Sequence, residues 1–205
     1  MTFYEYLLNN YGYNTPIMMN EISYNNYSKS WINKELSYLC DSGKLNRYEK
    51  GIYYIPKMTI LGPTKLNPQK VIYKKYINDG NEQNGYYSGI SFLNQIGIST
   101  QVPNVIEIYT NNEMSKVREV SVGEVKVILR RARTKIDKCN VKVLSFLELM
   151  NTVSLSFFDD EKRNLIIEYI KDNGITKKDI TTYARFFPDK AIRTLVESEI
   201  IYEVI

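Results

Sequence analysis

No histidine occurs among the 205 residues. Its absence removes the commonest general base, the commonest zinc ligand and every Ser-His or Cys-His nucleophile pair. Cysteine is scarce too. Cys40 and Cys139 stand far apart, which excludes a disulfide framework and any clustered-cysteine metal motif. No window approaches twenty apolar residues, and Thr2 to Tyr13 is neither basic nor apolar enough for a signal peptide. The expectation is a cytoplasmic, non-enzymatic protein that uses no membrane, metal or cofactor. Neither sign of charge dominates, since the formal net charge is only +4.

What is present supports folding and suggests an anionic partner. An apolar content of 43% is enough for real cores. Charge is unevenly spread. Residues 1–56 carry five basic and five acidic side chains, residues 57–152 fourteen against eight, and residues 153–205 eight against ten, or 0, +6 and −2. A nucleic-acid footprint is therefore expected to reach beyond the amino-terminal module.

The stretch from Tyr27 to Pro56 is the most informative. Ile32, Leu36 and Leu39 fall on one face of a helix from about Ser28 to Asp41. Ser28 supplies the amino-terminal cap, and Gly43 the left-handed residue that ends the helix. Leu45–Tyr48 and Ile52–Ile55 then flank Glu49-Lys50-Gly51, a hairpin turn in which Gly51 takes positive φ. Helix, glycine stop and basic hairpin are the parts of a winged helix-turn-helix. Lys29, Ser30, Asn33 and Lys34 lie on the outward side of the helix, suited to base edges in a major groove. Arg47, Tyr48 and Lys50 on the wing suit phosphates or the minor groove. Trp31 lies among them and reads as a half-buried packing residue. A winged helix can also serve as a protein-docking module without DNA binding.

Upstream, Thr2 caps a first helix to Asn10, and Pro16–Ile22 reads as a second helix begun by proline. Pro56 closes the wing. Lys57–Pro68 reads as a linker, and a short helix runs on to about Ile77. A polar loop and Gly85–Gly89 lead into a helix with Ile90, Leu93 and Ile96 inward. Strands follow near Val105–Tyr109, Lys116–Val120 and Val125–Arg131. Helices are expected from Leu144, from Asp159 to Asp172, near Lys177–Phe187 and near Asp189–Ser198, before a strand-like Ile200–Ile205. The fold class is α+β: a winged helix-turn-helix over residues 1–56, a linker over 57–68, and a mixed α/β domain over 69–205 ending in short helices.

Two further clusters carry chemistry. Arg130, Arg131, Arg133 and Lys135 form a second basic patch, with Arg130 on one strand face and the other three on the opposite face. Such a patch attracts an anionic partner or keeps an edge strand from aggregating. Asp159-Asp160-Glu161 reads as helix capping rather than catalysis. Glu107 followed by Glu124-Val125-Lys126 is the arrangement in which Mg²⁺ nucleases hold their metal, so a Mg²⁺-dependent nuclease of a defence system is the enzymatic alternative.

Three passages resemble the AbiEi family of type IV toxin–antitoxin antitoxins. They are Leu39-Cys40-Asp41-Ser42-Gly43-Lys44-Leu45-Asn46-Arg47 with Lys50-Gly51-Ile52-Tyr53-Tyr54, then Tyr87-Ser88-Gly89-Ile90-Ser91 with Gly97-Ile98-Ser99-Thr100-Gln101-Val102-Pro103 and Tyr109-Thr110-Asn111, and finally the stretch near Asn140–Leu149. The resemblance implies a winged-helix autorepressor that binds inverted repeats in its own promoter as two copies. It also implies an antitoxin that counteracts a nucleotidyltransferase-like toxin without requiring a direct complex.

Overall fold

The computed structural model describes residues 1–204 and divides into two compact units, Met1–Val71 and Ile72–Ile205. The fold is α+β: helices with small sheets first, then a mixed sheet, then helices.

In the first unit, helix α1 (Phe3–Tyr11) starts from a full capping box. The Thr2 hydroxyl accepts the Glu5 amide, and the Glu5 carboxylate accepts the Thr2 amide. Strand β1 (Ile17–Met18) and a 3₁₀ turn (Met19–Glu21) follow, then helix α2 (Lys29–Asp41) and the wing strands β2 (Asn46–Glu49) and β3 (Ile52–Tyr54). β3 lies between β1 and β2, antiparallel to both, which is winged-helix connectivity. Gly43 and Gly51 both take positive φ, +71° and +81°, where the helix stop and the wing turn need it.

The second helix expected over Pro16–Ile22 does not form. Ile17 and Met18 instead pair with Tyr53 and Ile52, and Ile17 is wholly buried. Sheet pairing of two apolar residues outweighs the proline start signal, leaving a single 3₁₀ turn where a helix was expected. Beyond it, Asn25 and Asn26 take positive φ and reverse the chain into α2, and the rings of Phe3, Tyr6, Tyr24, Tyr27 and Trp31 pack together.

The stretch expected as a linker has structure of its own. Strands β4 (Met58–Thr59) and β5 (Gly62–Pro63) form a two-stranded hairpin. Its base is held where the Lys57 amide donates to the Thr64 hydroxyl and the Thr64 amide to the Lys57 carbonyl, both at 3.0 Å. The Thr64 hydroxyl also donates to Asn14 Oδ1, and Lys70 Nζ to the Asn14 carbonyl. Pro68–Ile72 (α3) continues into a wider π-type turn, Tyr73–Ile77.

The second unit is built on a four-stranded sheet. Gly85–Ser88 forms strand β6 rather than only a lead into a helix, and helix α4 (Gly89–Gln95) follows. Phe92 is the buried residue of α4; Ile90, expected inward, is exposed. Strands β7 (Val105–Thr110), β8 (Val117–Val122) and β9 (Val125–Arg131) complete the sheet in the order β6-β7-β9-β8. β7 and β9 are parallel; the other pairs are antiparallel. Helix α5 (Val141–Thr152) is buried nearly all round and packs against β6 and α4. Helices α6 (Asp160–Asp172), α7 (Lys177–Ala184) and α8 (Asp189–Glu197) follow, and α7 and α8 both pack on α5. The chain then forms a 3₁₀ turn, Ile200–Glu203, in place of the expected strand, with buried Ile200 among the core residues. Ile205, the end of that expected strand, lies outside the described residues. Among the described residues no helix is long and apolar enough to cross a membrane.

Candidate nucleic-acid interface

Helix α2 is positioned by one face and offers the other. Ile32, Leu36 and Leu39 are buried with Phe3, Leu7, Ile17 and Leu45 in the first unit's core. The Ser28 hydroxyl accepts the Trp31 amide at 3.3 Å and fixes where the helix begins. The opposite face presents Lys29, Ser30, Asn33 and Lys34, all exposed. It continues with Ser37 and Tyr38, the latter 65% exposed. Those two were not singled out by the sequence reading, although Ser37 sits four residues beyond Asn33 and Tyr38 four beyond Lys34, each on the same side of the helix as its partner. The Ser37 hydroxyl donates to the Asn33 backbone carbonyl at 3.0 Å, and the exposed Asn33 side-chain amide carries both a donor and an acceptor.

The wing adds two exposed cations. Arg47 stands on β2, its Nε donating to the Glu49 carbonyl at 3.4 Å, and Lys50 sits at the turn. Pairing slips by one residue between Arg47 and Glu49, a bulge that bends the strand near its tip. Tyr48, grouped with these cations on sequence, is only half-exposed. Trp31 is also half-buried, stacked on Tyr27 at 4.0 Å between ring centroids and edge-on to Phe3 at 5.5 Å. Cys40 is no reactive thiol. Burial first and Asp41 second push its pKa up, so it stays protonated at neutral pH.

The second basic cluster is not the patch that the sequence suggested. β9 ends at Arg131, so the alternation that placed Arg131, Arg133 and Lys135 on one face stops before Arg133. Arg133 turns inward instead. Its Nε donates to Glu148 Oε2 at 2.8 Å and its Nη2 to Glu148 Oε1 at 3.3 Å. Glu148, on α5, is 2% exposed, and also accepts the Tyr109 hydroxyl and the Asn151 amide. The Arg133 guanidinium lies 5.1 Å from the Phe187 ring centre and 5.5 Å from that of Tyr109. Burial first, then the neighbouring Glu148 carboxylate, push the Tyr109 phenol up to about 12. Arg130 is paired as well, with Glu107 at 3.3 Å. Arg131 and Lys135 remain exposed, and the Arg131 amide bonds the Lys116 carbonyl, which brings a third exposed cation close by.

The same register separates the carboxylates of the nuclease alternative. Glu107 sits opposite Ile128, in the middle of β9, whereas Glu124 precedes the first residue of that strand. Glu107 is occupied by Arg130, and Glu124 lies in the β8–β9 turn. Among the described residues no group of three or more carboxylate or thiol side chains is placed to hold a metal.

Fold and surface together define an α+β protein with an amino-terminal winged helix whose α2 face is polar and open. The chain belongs to DUF6088, a family of unknown function whose model matches residues 13–180. Comparison with curated proteins finds no match, and comparison with solved structures finds none either.

Proposed function

We propose that the protein is a sequence-specific DNA-binding transcriptional autorepressor and the antitoxin of an AbiEi-like pair. The observation that carries the DNA-binding half is the α2 face. Lys29, Ser30, Asn33 and Lys34 are all exposed, on a helix anchored by its cap and three buried residues beside a wing with Arg47 and Lys50. In this reading Asn33 reads adenine through its two-sided amide, Lys29 reads guanine, and the wing cations hold phosphates. Two copies on an inverted repeat bring two such helices into major grooves one helical turn apart, or a multiple of it. The antitoxin half is supported by the resemblance of the Tyr87–Ser91, Gly97–Pro103 and Asn140–Leu149 passages. The partner it implies is a nucleotidyltransferase-like toxin, neutralised without a required complex.

The test is binding of the full chain to a duplex taken from upstream of its own reading frame, set against random duplex. Affinity is expected to fall steeply with salt. Asn33→Ala is expected to lower the preference for the promoter duplex by about tenfold, in line with 1–3 kcal/mol per base contact. Arg131→Ala is expected to weaken both duplexes alike. Absence of any salt-sensitive affinity for the promoter duplex would falsify the repressor reading. The antitoxin reading expects a nucleotidyltransferase-like reading frame beside this one; it fails if none is there, or if co-expression of this chain does not restore growth to cells producing that protein.

A further inference from the structure

Ile60 and Leu61 form the tip of the β4–β5 hairpin, at 105% and 99% exposure, the most exposed of the large hydrophobic side chains described. Met58, on the same hairpin, is 70% exposed. Tight hairpin turns favour Asn, Asp and Gly, so turn chemistry does not account for Ile-Leu at this tip. Burial does not account for it either. The hairpin is nonetheless well made: the Thr59 hydroxyl donates to the Gly62 carbonyl at 2.8 Å, and the base is pinned by Lys57, Thr64 and Asn14. A firmly held element that presents two bare aliphatic side chains is built to insert them into something.

Charge selects what that is. From Lys50 to Asn78 the chain has six lysines and not one acidic residue. Two of them, Lys57 and Lys65, are exposed on either side of the hairpin. An apolar tip on a hairpin whose base carries two cations matches a polyanion with an apolar interior. The hairpin belongs to the same compact unit as α2 and the wing, which favours duplex DNA over a lipid surface. We infer that the β4–β5 hairpin is a second DNA-contacting element, lodging Ile60 and Leu61 in the minor groove while Lys57 and Lys65 hold the flanking phosphates. Aliphatic wedges of this kind act by partly unstacking a base step. The inference rests on the DNA-binding reading above and adds a contact that reading does not contain.

The experiment uses the full chain and a fluorescein-labelled promoter duplex, read by anisotropy. Ile60→Ser/Leu61→Ser is expected to weaken binding at least tenfold with an unchanged salt slope, because an apolar contact releases no counterions. Lys57→Ala/Lys65→Ala is expected to make that slope shallower. Netropsin, which fills A/T minor grooves, is expected to displace the wild-type chain more readily than the tip variant. All four positions are exposed, so circular dichroism of both variants is expected to match the wild type. An unchanged Kd for the tip variant overturns the proposal. So does tip-dependent dimerisation in sedimentation velocity without DNA, or tip-dependent binding to phosphatidylglycerol vesicles, when duplex affinity does not depend on the tip. If Asn33→Ala loses promoter preference while the tip variant binds normally, the hairpin contact alone is refuted. If the wild-type chain shows no salt-sensitive affinity, the DNA reading falls with it.

Discussion

Arg133 shows how much one side chain depends on what it meets after the strand ends. Counted by sequence it belongs to a basic run, yet its guanidinium is enclosed by Glu148, Tyr109 and Phe187. Removing one partner of such a pair leaves the other as an uncompensated buried charge. Arg133→Met is therefore expected to destabilise the second unit by about 3 kcal/mol, at the lower end of the range for buried pairs because Arg133 keeps some exposure. The double variant Arg133→Met/Glu148→Leu is expected to recover much of that loss. Urea unfolding of the two variants checks it; a double variant less stable than the single one would show that the network stabilises through more than charge pairing. The exposure of Lys29, Asn33, Arg47 and Lys50 was legible from sequence, because helical and hairpin periodicity fix which way those side chains point. The fate of Arg133 was not, because it depends on Glu148, fifteen residues away on another element.

Among the elements, α2 and the wing were the most legible, since cap, apolar spacing and turn glycine all agree locally. Ser28→Ala is expected to cost about 1 kcal/mol, and Ser28→Gly only a few tenths, in thermal or urea unfolding. Equal losses for both would mean that the cap bond is not what starts the helix. β6 was harder to see. It is four residues long, and its place in the sheet is set by β7 rather than by its own pattern. Gly85 begins it because the chain passes close to two carbonyls: an added Cβ would lie 2.2 Å from the Tyr76 oxygen and 2.7 Å from that of Tyr109. Backbone cannot yield as a flexible side chain does. Gly85→Ala is thus expected to cost about 3 kcal/mol, or to prevent folding of the second unit, seen as a lowered urea midpoint. The segment Pro16–Ile22 misled for the same kind of reason, since the partner of Ile17 is Tyr53, far along the chain.

At the scale of the whole molecule, the tyrosines set the alkaline limit. Burial pushes Tyr11, Tyr87 and Tyr109 up to about 12, and holds Tyr86 and Tyr169 above the ordinary range as well. A phenol whose folded pKa is raised favours the fold fully below about pH 10, where the unfolded chain would also be protonated. That contribution is lost as pH climbs from about 10 through 12. The expected result is that absorbance at 295 nm shows these phenols ionising together with the loss of circular dichroism, later than the exposed tyrosines. Smooth titration of all eighteen tyrosines near pH 10 would contradict it. On the acid side, backbone amide bonds first hold Asp79 below its usual range, and hydrogen bonds to Thr176 do so for Asp179. Their contributions are present above about pH 4 and decline as pH falls further.

The chain's single tryptophan, locked between Tyr27 and Phe3, belongs wholly to the first unit. Its emission is a private reporter: fluorescence excited at about 295 nm, where tyrosine scarcely absorbs, follows the first unit alone, while far-ultraviolet ellipticity averages over the entire polypeptide. Any gap between the two denaturation midpoints measures how far the amino-terminal module can melt on its own, with no label or dissection of the protein needed.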